Sequence, residues 1–110
     1  MDHGHAERRR HPRIPLGVPV RVHVAGDQRP MTIELVEVSM GGGSFRALAD
    51  LPAVGQRAAF GFVVPDRSIC LARGLVVRVQ DEGFALVFER INGAFRGFLG
   101  DVSGPAIRAA

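Results

Sequence analysis

The sequence has no tryptophan, no tyrosine, no lysine and no long run of apolar residues, and it has only one cysteine. Cys70 has no second cysteine to form a disulfide with, and the alternating apolar stretch around it predicts a small core residue in a reducing compartment. No apolar run approaches the roughly 20 residues of a membrane-spanning helix. The polar, basic N-terminus is not followed by the apolar segment of a secretory signal. We therefore expect a cytoplasmic protein that does not enter a membrane.

The positive charge is concentrated at one end of the chain. At 110 residues the chain has the length of one domain, residues 1–110. The first thirty residues hold six arginines against three acids, and the remaining eighty hold eight of each, so the net charge of +3 belongs to the first thirty. A neutral body with a basic arm, residues 1–13, predicts an anionic partner that the arm contacts.

Apolar residues alternate with polar ones along most of the chain, which predicts strands that are buried on one face. Residues 14–90 are expected to form a small antiparallel barrel or sandwich. Ile91, Phe95, Phe98 and Leu99 have helical spacing, so a short helix is expected over 91–99, followed by a tail over 100–110. The expected strands cover residues 18–24, 31–38, 44–48, 57–64, 69–80 and 84–88, and Gly74 marks a bulge or bend in the fifth.

Catalytic and metal-binding patterns are poorly represented. A nucleophile elbow has the pattern Gly-x-Ser-x-Gly, with a glycine on each side of the serine. Ser39 has glycines only after it, so it does not fit this pattern. The histidines His3 and His5 have no cluster of cysteines or carboxylates near them to complete a metal site. We expect neither an enzyme nor a protein with a cofactor or metal.

The arginines of the arm precede the first strand and are accompanied by prolines. Pro12 and Pro15 disfavour a helix and favour an extended chain. In an extended chain the side chains of Arg9 and Arg13 can lie roughly 13 Å apart. This spacing suits a multiply phosphorylated or large planar ligand that is held from two sides. The alternative is a disordered basic terminus without a partner.

A second segment combines a carboxylate, a hydroxyl and three glycines, in Glu37-Val38-Ser39-Met40-Gly41-Gly42-Gly43. Glu37 and Ser39 are two positions apart on a strand end and point to the same side. A carboxylate can accept hydrogen bonds from the amino groups of a base, and the hydroxyl and the glycine amides can contact phosphate oxygens. The alternative is a glycine-rich turn in which Ser39 caps its own backbone.

The two segments in this order resemble the hallmarks of the PilZ domain family. These are Arg-x-x-x-Arg, met by Arg9 and Arg13, and Asp/Asn-x-Ser-x-x-Gly, met by Ser39 and Gly42 with Glu37 in the place of Asp or Asn. The resemblance extends over residues 7–99. It implies a six-stranded antiparallel β-barrel with one short C-terminal helix and a flexible N-terminal arm, and a receptor for cyclic di-GMP.

By that resemblance the ligand-binding residues are Arg8, Arg9, Arg13, Glu37, Ser39, Gly41 and Gly42. The two motif arginines would clamp phosphates and stack on guanine, and Glu37 and Ser39 would contact the other guanine or its sugar–phosphate. An arginine in the place of Arg8 tends to accompany two stacked ligand molecules per domain in this family. The domain would then relay the signal to a protein effector.

Two other functions are weighed against this one. A PilZ-like barrel that has lost its ligand would act only as a protein-interaction adaptor. A general nucleic-acid-binding barrel would need aromatic side chains on its surface, but the seven phenylalanines stand at expected core positions.

Overall fold

A computed structural model of the chain describes residues 13–27 and 29–103. Residues 1–12 of the expected basic arm, with Arg8 and Arg9, and residues 104–110 of the expected tail lie outside the described residues. The described residues form six strands and one helix, which are β1 (Ile14–Val24), β2 (Met31–Val38), β3 (Gly42–Arg46), β4 (Arg57–Val63), β5 (Ile69–Gln80), β6 (Gly83–Ile91) and α1 (Gly93–Ser103).

The strands close into one antiparallel barrel with the order β1-β2-β3-β6-β5-β4. The expected six-stranded antiparallel barrel with one short C-terminal helix is confirmed. Along each strand, side chains that point into the barrel alternate with side chains that point outward. In β1 this buries Val20, Val22 and Val24. The expected irregularity at Gly74 is also present, since the β5–β6 register shifts between Arg73 and Gly74.

β1 begins earlier than its alternation predicts, at Ile14 instead of residue 18. The register with β2 shifts between Pro15 and Val18, and Gly17 has a φ of +65°. This is a bulge with a glycine in the left-handed region, which interrupts the period of two without ending the strand. Prolines are tolerated before Arg21 because β1 pairs with β4 only over Arg21–Val24.

The helix was expected over 91–99 and runs over Gly93–Ser103 instead. Ile91 still belongs to β6, where it is paired with Ala72. Asn92 caps the helix, because its side-chain oxygen accepts a hydrogen bond from the Phe95 amide at 2.9 Å. The helix therefore begins after Asn92 rather than at the first apolar residue of the periodic pattern.

The phenylalanines fill the core, as expected. Phe45, Phe60, Phe84 and Phe95 are buried and the other three are half-buried against them. Phe95 attaches α1 to the barrel, with ring centroids 5.4 Å from Phe62 and 5.7 Å from Phe88. The surface of the described part of the chain thus has no exposed phenylalanine ring for a nucleobase to stack on. Among the described helical residues, none forms a helix long and apolar enough to cross a membrane.

Candidate functional site

The start of β1 and the end of β2 bring together the two segments that were expected to form a site. Ile14 is paired with Val38 and Pro15 with Glu37, so Arg13 lies next to the Glu37 carboxylate. The Arg13 guanidinium and a Glu37 carboxylate oxygen are 3.6 Å apart. The Arg13 side chain is 77% exposed, so this ion pair contributes little stability, about 0–1 kcal/mol. The two groups lie side by side and line the same cavity.

The turn between β2 and β3 is held by its own backbone and by Ser39. The Ser39 amide donates to the Gly42 carbonyl at 2.8 Å. The Ser39 hydroxyl accepts from the Gly41 amide at 3.3 Å and donates to the Gly42 carbonyl at 3.4 Å. Ser39 therefore has a local capping role in this structure. Its donated bond is long and weak, so the O–H group is the part that a ligand oxygen could capture.

Gly42 is required by the close approach of β3 to β6. A Cβ atom at Gly42 would lie 2.3 Å from the carbonyl oxygen of Leu86. The next residue back, Gly41, is exposed, and its carbonyl accepts from the Phe88 amide at 2.8 Å. The backbone of β3 is therefore not covered by a side chain at Gly42. Its close approach to β6 lets residues of both strands line the same cavity.

These elements enclose a cavity of about 240 Å³, which we call the Arg13 cleft. Arg13, Glu37, Ser39 and Gly42 line it, so the structure brings together four of the seven expected residues. Gly41 lies beside the cleft in the same turn, and Arg8 and Arg9 lie outside the described residues. A larger surface depression of about 750 Å³ lies at the other end of β2 and holds none of the expected residues.

The opposite wall of the Arg13 cleft contains an arginine that the sequence analysis missed, Arg78 of β5. Val76 is paired with Leu86 and Arg78 with Ala85, so Val77 is an extra residue in a bulge. Such a bulge lets two consecutive side chains face outward, and Val77 and Arg78 are both exposed. The interruption of the alternation at Val76-Val77-Arg78 was the available signal. Arg78 makes no ion pair with the described residues.

The Arg13 cleft therefore carries two guanidinium groups against one carboxylate, which favours an anionic ligand. Arginine pairs with phosphate oxygens in a bidentate manner and stacks on planar rings. The apolar wall at Val77, Val87 and Ala85 suits the face of a base. No group of three or more metal-ligating side chains occurs among the residues that the structure describes.

A scan against protein-family models matched the PilZ domain over residues 7–101. This chain belongs to the PilZ domain family. The match includes both segments that line the Arg13 cleft and residues 7–12 of the basic arm before it. PilZ domains are generally non-catalytic receptor domains that typically bind cyclic di-GMP. Comparisons with curated proteins and with solved structures found no match.

Proposed function

We propose that this PilZ domain binds cyclic di-GMP in the Arg13 cleft and relays binding to a protein partner in the cytoplasm. The observation that carries the proposal is the convergence of Arg13, Glu37, Ser39 and Gly42 on one cavity. These residues come from two segments more than twenty positions apart. Their convergence is expected of a binding site and is not needed for a turn.

The ligand's two phosphates and two guanines match the groups around the cleft. Arg13 and Arg78 pair with phosphate oxygens from opposite walls, and Gly42 lets the ligand approach the backbone. Glu37 accepts from the amino edge of a guanine, in the manner in which carboxylates accept from bases. The cleft, at about 240 Å³, is smaller than a usual ligand pocket. Arg8 and Arg9 are therefore proposed to supply the missing wall, around one or two stacked ligand molecules.

Calorimetric titration of the full chain with cyclic di-GMP tests the proposal. Arg13→Ala and Arg78→Ala should each weaken binding by about 2 kcal/mol, roughly 30-fold in Kd, since each removes a charge-assisted contact. Arg96→Ala is the matched control, because Arg96 is exposed on α1 and lies away from the cleft. Melting temperatures should stay close to that of the parent for all three. Binding should also weaken as salt is raised.

One observation favours a second candidate, an adaptor that binds no nucleotide. Glu37 has one methylene more than the aspartate usual in the family, and in this structure its carboxylate is already paired with Arg13. If the parent chain gives no heat with cyclic di-GMP at low salt, the receptor proposal is rejected and the adaptor remains. Equal losses for Arg13→Ala and Arg96→Ala would reject the cleft as the site.

A further inference from the structure

A second cavity, of about 450 Å³, lies on the outer face of β4. Its floor is formed by Ala59, Gly61 and Leu71, and its rim by Arg21, Arg73 and Arg90; we call it the arginine groove. The register explains its shape. Arg21 is paired with Gly61 across β1 and β4, and Ala59 with Arg73 across β4 and β5. Ala59 and Gly61 on β4 are small, and the arginines paired with them on β1 and β5 are long, so a groove runs along β4.

The charge on this rim is not neutralised within the described residues. None of the residues lining the arginine groove is acidic, and none of its three arginines forms an ion pair there. Arg73 lies directly opposite Arg90 in the β5–β6 register, and like charges in this position destabilise a sheet. The arrangement costs stability, and an anion bound between the two guanidinium groups would remove that cost.

The nearest carboxylate by register is already occupied elsewhere. Glu89 is the extra residue of the bulge between the Arg73–Arg90 and Gly74–Phe88 pairs. Its two carboxylate oxygens accept from Arg57 at 3.1 and 3.2 Å. Because Arg57 balances the charge of Glu89, the pair adds no net negative charge beside the groove arginines.

The floor of the groove is apolar and continues into an exposed apolar patch. Leu71 lies over Gly61 and is 50% exposed. Val63 and Ile69 are paired across β4 and β5 next to it and are 65% and 56% exposed. Exposed aliphatic side chains that adjoin a charged rim are typical of a protein contact surface.

The wall of the groove is fixed in advance by Asn92. Its side-chain amide donates to the Ile69 carbonyl at 2.9 Å, and its side-chain oxygen accepts from the Leu71 amide at 3.1 Å. The same oxygen accepts from the Phe95 amide, which ties the groove to α1. A rigid wall lowers the entropic cost of binding a partner.

We propose that the arginine groove docks a protein partner through a short acidic segment with an aliphatic side chain between its carboxylates. The carboxylates pair with Arg21, Arg73 and Arg90, and the aliphatic side chain packs on Leu71. A groove with cations around an apolar floor fits an inserted segment better than a flat lipid surface. No phenylalanine is exposed among the described residues, so the groove offers no Phe ring to stack on nucleobases.

This inference specifies the partner chemistry of the proposed function and rests on it for the signalling role, although docking itself needs no nucleotide. Arg13 directly precedes β1 and Arg21 lies in its second half, eight positions further on, at most about 26 Å along the chain. The Arg13 cleft and the arginine groove share none of the residues that line them. Nucleotide and partner can therefore bind at the same time.

The test is an NMR titration of the ¹⁵N-labelled full chain with a capped pentapeptide of one leucine flanked by two acidic residues on each side. Amides of residues 59–61, 71–73 and 90–92 should shift with a common affinity. Replacing the peptide's leucine by glycine should weaken binding severalfold, and replacing its acids by lysines should abolish it. Arg73→Glu should weaken binding at least tenfold, whereas Arg96→Glu, the same charge change on α1, should not.

The variant is informative because it should not unfold the chain. Arg73→Glu replaces a like-charge pair by an Arg90 ion pair, so the melting temperature should be equal or higher. Scattered shifts, no shifts, or equal losses for Arg73→Glu and Arg96→Glu would overturn the proposal. Shifts of the same amides with anionic phospholipid vesicles but not with the peptide would replace it by membrane docking. Since docking needs no nucleotide, a parent chain that binds the peptide but gives no heat with cyclic di-GMP overturns only the proposed function.

Discussion

The substitution Gly42→Ala tests the geometry on which the Arg13 cleft depends. The added Cβ would lie 2.3 Å from the Leu86 carbonyl oxygen, where real Cβ contacts are essentially never under 3.0 Å. The obstacle is backbone, which cannot rotate away, so β3 and β6 must separate by roughly 1 Å. That movement lengthens the β3–β6 hydrogen bonds around the Gly42–Val87 pair.

Overpacking of this kind typically costs about 1–3 kcal/mol. For a domain of this size, that lowers the melting temperature by about 4–12 °C. Because the displaced strands form two walls of the cleft, affinity for cyclic di-GMP should fall as well, under conditions where the variant is still folded. Differential scanning calorimetry and calorimetric titration of the same samples measure both effects.

Gly97→Ala is the matched control. A Cβ at Gly97 has nothing within 4 Å, and the residue lies inside α1. Alanine is favoured over glycine in a helix by about 0.5–1 kcal/mol, so this variant should melt a few degrees higher and bind unchanged. If Gly42→Ala melts at or above the parent, β3 and β6 are not as close as described and the reasoning fails.

Three further predictions concern single side chains. Glu37→Asp should preserve or tighten cyclic di-GMP binding and Glu37→Ala should weaken it by roughly 1–3 kcal/mol, as measured by titration; equal binding by parent and Glu37→Ala would reduce Glu37 to a strand acid. Asn92→Ala should destabilise the fold by about 1–2 kcal/mol in urea, through loss of a helix cap and of the β5 contacts, whereas Asn92→Asp, which keeps the cap acceptor, should lose less. Burial raises the pKa of the Cys70 thiol above its usual 9.0, so the stability that its neutral form contributes is complete below pH 9 and is lost as the pH rises through the folded-state pKa. The chain has no lysine or tyrosine to titrate in that range, so a urea midpoint in Cys70→Ala that falls with pH as steeply as in the parent would contradict the assignment.

The strands could be predicted because they contain stretches, such as residues 18–24 and 57–60, in which exposed and more buried positions alternate with a period of two. The beginning of β1 could not, since Pro15 and a left-handed Gly17 are individually typical of turns and only the register with β2 makes them part of a strand. The helix start depends on Asn92, whose side chain contacts both β5 and α1. Contacts with two elements are not visible in a local sequence window.

The Arg13 side of the cleft could be predicted from motif spacing. The interrupted alternation at Val76-Val77-Arg78 indicates that Arg78 faces outward, but not that it lies at the cleft. Alternation gives the face of each residue and not the strand that will be its neighbour, so nothing in the sequence placed β5 opposite the Ser39 turn. The arginine groove was hidden for a related reason. Its floor consists of two small residues on β4 and Leu71 of β5, and its rim arginines come from β1, β5 and β6, so it exists only once the barrel is closed.

The two proposed sites differ in how firmly β1 holds them. Over Arg21–Val24 the strand is paired on both sides, with β2 or its turn and with β4, whereas from Ile14 to Val20 it is paired with β2 alone. The bulge at Gly17 lies inside this less restrained part, between the Arg13 cleft and the arginine groove. A ligand that pulls on Arg13 therefore acts first on the segment before Val20, and the firmly paired end at Arg21 stays in place. Under the two proposals, the arginine groove therefore keeps its geometry with a partner docked, and nucleotide binding at Arg13 moves the part of β1 before Val20.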